Sequence, residues 1–255
     1  MSIQPNLVSC GSLETAWSQA FKLTLADKEV APLVVTFSVP ESQGAEENAR
    51  VQAKLDETLE SHGMFSCSTV ANTIFPVSLW DPSKEPERLY SAYFRMLPVL
   101  WKYPQNRRGL YFERLVDYDN DKKPGTGVNQ LRHVIETWHR GNHRRSGLQA
   151  AIFDPRRDHI NSPYLGFPCL HQVAFVPLGS TRLAIVGYYG RQYIVEKAFG
   201  NYMGLTRLGH FMAHQMGLQL ERVTIVAGVA SLGPGIRKAG LQELVALVDS
   251  AATLN

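Results

Sequence analysis

The sequence predicts an α+β fold, and three observations carry that prediction. Two apolar runs at 169–177 (CLHQVAFVP) and 181–190 (TRLAIVGYYG) flank a short turn at 178–180, the pattern of an antiparallel hairpin. Two more runs rich in β-branched residues, 31–41 and 223–230, read as strands. Around them lie segments whose apolar residues recur every three or four positions, the spacing that lines one face of a helix.

In chain order, Ser12 is placed to cap a helix over 12–25 that turns Leu13, Ala16, Trp17, Ala20 and Phe21 inward, with Trp17 in the core. The strand at 31–41 stops at Pro40, and 45–63 sets Val51, Leu55 and Leu59 on one helix face with a solvated charged face opposite. Prolines 76, 82 and 86 make 65–86 read as turns and brief strands, followed by a helix over 86–97. The run 110–116 reads as a strand leading into a surface loop, with Tyr111 and Arg114 able to face a ligand and Arg107 and Arg108 as loop charges. A helix over 127–143 carries Leu131, Val134, Ile135 and Trp138, has Gly141 at its C-cap, and delivers Arg144 and Arg145 just past its end. A strand at 146–153 precedes Asp154-Pro155 and a polar loop. Asn201 opens a helix with Leu205, Leu208, Met212 and Met216 along one side; Gly204 and Gly209 lower its intrinsic helicity, so tight packing has to hold it. A closing helix covers 240–255.

A chain of 255 residues buries roughly 70–75% of its unfolded surface, enough for a sizeable core in one large domain or two small ones. Charged residues at 19% and a net charge of +3 give too small a basic excess to argue for nucleic acid, while a small anionic ligand stays allowed. No apolar run approaches the roughly 20 residues of a membrane span. The start MSIQPN lacks the basic-then-apolar pattern of a secretory signal, so the expected location is cytoplasmic. Cys10, Cys67 and Cys169 have no metal-ligand spacing; the first two read as small buried hydrophobes. There is no internal repeat.

The residues that carry chemistry gather between 143 and 201. Cys169 supplies a thiol nucleophile, Arg144, Arg145 and Arg191 supply fixed cations for an anion, and Asn201 supplies an amide that donates and accepts at once. A phosphorylated substrate attacked by sulfur is the chemistry this set suggests. Taken singly, each has a plainer reading: Pro168-Cys169 as a structural strand start, Arg144-Arg145 as a surface doublet, Asn201 as an N-cap.

In order and spacing this set resembles thymidylate synthase, the folate-dependent family that methylates deoxyuridylate. The resemblance rests on a helix ending in Arg144-Arg145, Pro168-Cys169 about 24 residues later, Arg191 closing the next hairpin strand, and Phe199 to Asn201 opening the following helix. It is best over 110–233 of a single domain spanning 1–255, and weak over 1–100. It implies a mixed, mainly antiparallel sheet with helices on one face and a homodimer formed through the other. It implies a pyrimidine nucleoside monophosphate as substrate, with no nucleic acid or membrane partner, and methylenetetrahydrofolate as one-carbon donor. Cys169 would add to C6 of the pyrimidine, activating C5. Arg191 would bind phosphate in its own subunit, Arg144 and Arg145 would reach the partner's site, and Asn201 would read the base edge. His171 and Gln172 would orient water or substrate.

The sequence departs from the family pattern at several of these points. Leu170 stands where the family has a histidine next to the cysteine; Gln192 and Ile194 stand where it has a phosphate-binding serine and a folate-holding aspartate. The spacing from Arg191 to Asn201 is one residue shorter. Ser231 and Gly233 occupy the places of the family's ribose-gripping histidine and tyrosine. No arginine precedes Arg50, and a short Ala-Leu-rich tail replaces the segment that closes over folate. Two readings follow: an enzyme that methylates or hydroxymethylates C5 of a pyrimidine nucleotide, and a protein of the same fold that binds a nucleotide or a protein partner without that chemistry.

Overall fold

The β-branched runs pair into one mixed sheet of six strands in the order β1-β2-β6-β5-β4-β3. The computed structural model describes residues 6–39, 45–106, 109–141, 143–159, 161 and 168–252. Strand β1 (Asn6–Cys10) lies parallel to β2 (Leu33–Ser38), which runs antiparallel to β6 (Gln219–Ser231). The expected hairpin is β4 (Leu170–Leu178) with β5 (Arg182–Tyr193), turning at Gly179, whose φ of 70° suits glycine. Strand β3 (Gln149–Ala151) pairs antiparallel with β4, and β5 runs parallel to β6.

A parallel pair needs a crossover, and α8 (Phe199–Met216) supplies it between β5 and β6. Together with α1 (Leu13–Ala26), α8 packs on one face of the sheet. Trp17 and Phe21 of α1 are fully buried and stack at 5.2 Å between ring centroids. Ser12 caps α1 by accepting the amide of Thr15, and Gly141 caps α6 (Gln130–Arg140) with a φ of 66°. Helices α2 (Ala45–Ser61) and α9 (Gln242–Ala252) lie within the expected segments, α4 (Pro86–Leu100) starts as expected and runs past Leu97, and a short helix, α7 (Pro155–Asp158), stands where a polar loop is expected.

Three further expectations are corrected. Residues 65–86 contain a helix, α3 (Cys67–Ile74), in place of brief strands. Its end is satisfied twice: Ser66 accepts the amide of Thr69, and Asp56 accepts that of Cys67 at 2.6 Å. Residues 110–116 form a helix too, α5 (Tyr111–Val116); the Glu113 carboxylate accepts the Leu110 amide at 3.2 Å, and Phe112, Leu115 and Val116 bury one helical stripe. The third concerns Asn201, which does not open its helix. A π-type turn, Ile194–Ala198, runs into α8, which begins at Phe199.

Gly200 and Gly204 of α8 answer to packing against α3, and Gly209 to packing against Leu220 and Ile185 of the sheet. A Cβ on Gly200 would stand 2.6 Å from the Cys67 carbonyl oxygen, and one on Gly204 would stand 2.9 Å from that of Ala71. The lost helical propensity is thus offset by backbone contact.

Candidate active site

Cys169 lies just before β4, where its carbonyl accepts the Gly190 amide at 3.0 Å, so the thiol sits opposite the end of β5 that carries Arg191. The register of β4 shifts between Leu170 and Gln172, leaving His171 as a bulge residue. Cys169 is exposed as a residue, yet enough protein surrounds its thiol that burial pushes the pKa up. The positive charges of Lys197 and Arg191 oppose that shift.

Tyr111 comes to this point from α5. Burial raises its phenol pKa, and its hydroxyl lies against the backbone amides of Leu170 and Cys169. Tyr189 is 0% exposed, feels both Tyr111 and Cys169, and its hydroxyl has no hydrogen-bond partner among the described residues. Gln192, 2% exposed, accepts the Tyr202 hydroxyl at 3.3 Å, while its side-chain nitrogen has no partner among the described residues. Leaving such a group unpaired costs on the order of 1–3 kcal/mol, a cost that a bound polar ligand removes.

Arg191 is half exposed; its guanidinium pairs with Glu29 at 2.7 Å and lies over the Tyr193 ring. Asn201 is buried on the first turn of α8. The structure thus gathers Cys169, Arg191 and Tyr111 around one strand end. His171 turns the other way: its ring contacts Tyr188 and Phe153 and covers Gly190, on the face opposite Tyr189. Gln172 is exposed and donates to the side chain of Gln149 on β3. Arg144 and Arg145 are exposed and remote from the thiol of their own chain. Arg145 donates to the Pro177 carbonyl at the far end of β4, roughly 23 Å from Leu170 at 3.3 Å per residue.

Arg114 does not face a free ligand site as expected. It is buried and doubly bonded to Asp158, one of the two contacts at 2.8 Å, and it donates to the Ile152 carbonyl. It borders a cavity of about 480 Å³ that also meets Asp117, Asp119 and Arg157. The charges there satisfy one another: Asp117 accepts the amides of Gly125 and Gly127, and Arg157 pairs with Asp119 and Asp121. Arg107 and Arg108 lie outside the described residues.

Lys197, Tyr189 and Gln192 were missing from the candidate set. For Lys197 a signal was present, since it is the one cation between the apolar residues Ile194 and Phe199. Its charge acts on Cys169 from the π-type turn, which no residue pattern announces. No protein-family model and no curated protein sequence matches the chain. No helix among the described residues is long and apolar enough to cross a membrane.

Proposed function

We propose that this protein is a thymidylate-synthase-like enzyme that transfers a one-carbon unit to C5 of a pyrimidine nucleoside monophosphate. The observation that carries the reading is the place of Cys169 opposite the end of β5 that bears Arg191, joined to it by the Gly190 amide on the Cys169 carbonyl at 3.0 Å, with the fully buried Tyr189 on the same strand. The Cys169 thiolate adds to C6, and the C5=C6 electron pair moves onto C5 and the adjoining carbonyl as an enolate. C5 then forms its bond to an electrophilic one-carbon unit. Loss of the C5 proton and expulsion of the thiolate restore the double bond. Arg191 holds phosphate, since its planar fork donates two parallel charge-assisted bonds, and Asn201 reads the base.

Methylenetetrahydrofolate is the donor that the family resemblance implies, but the residue expected to hold it does not fit. Ile194 is 0% exposed, and its carbonyl accepts the Trp17 indole N–H at 2.8 Å, so it presents no polar group to a folate. No step is derived through that cofactor. Dimerisation is part of the proposal, with Arg144 and Arg145 completing the partner's site. The face of the sheet opposite α1 and α8 supports it: Leu7 is 66% and Tyr188 43% exposed, the half-buried Val34 and Val226 lie in register between them, and the half-buried Val186 follows on the same face of β5.

A second reading, a nucleotide- or partner-binding protein without chemistry, is favoured by the Glu29 carboxylate on Arg191 and the apolar residue at 194. Calorimetric titration with dUMP, UMP, dCMP and CMP, alongside release of tritium from C5, separates the two. Binding of one nucleotide with tritium release that vanishes in Cys169→Ala supports the enzyme. Binding without release supports the second reading, and binding of none of the four sinks both nucleotide readings.

A further inference from the structure

The C-terminal end of α4 leaves apolar side chains in solvent. Met96, Val99 and Tyr103 are 43%, 55% and 53% exposed, and they recur at intervals of three and four, the spacing that lines one side of a helix. Leu89, Tyr93 and Leu97 fill the other side and are buried. Single exposed hydrophobic residues are ordinary, but three of them at one helix end make a patch. The patch sits on a firm corner. The amides of Trp101, Lys102 and Tyr103 donate to the carbonyls of Leu97, Val99 and Leu100 at 2.9, 3.1 and 3.3 Å, and the Asn106 side chain donates to Leu100 as well, at 3.1 Å. The Trp101 indole, which donates to the Glu113 carboxylate at 3.1 Å, ties the corner to α5. These carbonyls are therefore satisfied without water.

The charge around the patch has one sign. From position 88 to 108 the sequence holds Arg88, Arg95, Lys102, Arg107 and Arg108 and no acidic residue. Arg88, Arg95 and Lys102 are exposed. The neighbouring carboxylates are engaged elsewhere: Glu87 pairs with Arg132 at 3.2 Å, and Glu113 accepts from Trp101 and Asn120. Arg88 lies in the field of Asp81, which leaves Arg95 and Lys102 as cations without an ion pair among the described residues. Arg95 and Val99, four positions apart, are neighbours on the helix surface, and Lys102 directly precedes Tyr103. Their aliphatic stems can lie along the apolar patch with the charged heads at its rim.

We propose that this corner of α4 docks on an anionic lipid bilayer, with Met96, Val99 and Tyr103 entering the headgroup layer and Arg95 and Lys102 meeting lipid phosphates. Side chains that protrude from a helix end need a partner that opens to receive them, and a fluid bilayer does so. Tyrosine, with an apolar ring and a polar tip, suits that depth. The cations alone would hold any polyanion, but a polyanion such as nucleic acid makes no use of Met96 and Val99. Three apolar side chains and two cations give a reversible, peripheral attachment. The proposal does not rest on the nucleotide reading, and it runs against the absence of a membrane partner that the family resemblance implies.

The test is co-sedimentation of the full chain with vesicles of phosphatidylcholine alone and of equal parts phosphatidylcholine and phosphatidylglycerol. It is run on the intact protein, on Met96→Ser/Val99→Ser and on Arg95→Gln/Lys102→Gln, with thermal melts to show that these exposed substitutions keep the fold. A control, Lys28→Gln/Arg237→Gln, removes the same charge from exposed positions on other segments. The intact protein should bind the anionic vesicles and not the neutral ones, each α4 variant should bind roughly tenfold more weakly or less, and the control should bind like the intact protein. Binding to neither vesicle, or to both equally, overturns the proposal. So does an equal loss in the control, which would mean that net charge alone matters. Binding lost in the glutamine variant but kept in the serine variant also overturns it, since the surface would then suit a polyanion and not a bilayer.

Discussion

The guanidinium of Arg191 and the carboxylate of Glu29 form an ion pair at 2.7 Å, with both side chains about half exposed. The pair ties the end of β5 to the loop before β2, and places an acidic group where the proposed phosphate has to go. Screened pairs of this kind contribute at most about 1 kcal/mol, so a phosphate dianion can displace the carboxylate. Glu29→Gln is expected to tighten nucleotide monophosphate binding up to about fivefold, read by calorimetry at fixed salt. Unchanged affinity would remove Arg191 from the phosphate site.

The separation of Arg145 from Cys169 in one chain gives a complementation test. Cys169→Ala and the double variant Arg144→Ala/Arg145→Ala should each be inactive alone. Mixed in equal amounts and allowed to exchange subunits, they should recover about a quarter of full activity, because half the dimers are mixed and each mixed dimer keeps one intact site. No recovery despite exchange shown by native mass spectrometry would refute shared sites.

His171 should make the fold acid-sensitive. Burial against Phe153 and Tyr188 lowers its pKa, only partly offset by the negative charge of Asp158. A folded-state pKa below the unfolded value of about 6.5 means that the unfolded chain binds the extra proton, so this stability is complete above about pH 6.5 and is lost as pH falls. Thermal midpoints recorded from pH 7.5 to pH 5 should drop less in His171→Gln than in the intact protein.

Gly200→Ala should destabilise by about 1–3 kcal/mol, since the new methyl group meets the Cys67 carbonyl and Val70, both 2.6 Å from the Cβ position. Urea unfolding measures this. Breaking the buried Arg114–Asp158 pair with Arg114→Met should cost more, about 3–5 kcal/mol, because Asp158 is left charged and nearly sealed from water.

Much of the framework was legible in the residues. The β4–β5 hairpin, the strand at 223–230 and the caps at Ser12 and Gly141 follow from local chemistry that tertiary contacts did not override. Helix α3 was hidden because CSTVANTI is rich in β-branched residues; what makes it helical is a side chain 11 positions back, Asp56, and the glycines of α8. Helix α5 was misread although its buried residues keep helical spacing, because the aromatic and branched residues outweighed Glu113. In the candidate site, Cys169, Arg191 and Tyr111 stand out by residue type, and the fold brings the three to one strand end. Lys197 and Tyr189 do not stand out, since a lysine or tyrosine acquires a role only through where a turn or a strand face carries it.

The π-type turn at Ile194–Ala198 also sets how this segment can change. Arg191 belongs to a strand and Asn201 to a helix, so the five residues between the two elements act as a spacer. Inserting or deleting one of them would rotate every α8 side chain, Asn201 included, by roughly 100° about the helix axis. Since Gly200 and Gly204 fit only against α3, such a rotation would drive larger residues into that contact. The number of residues in the spacer is therefore under tighter restraint than their identity.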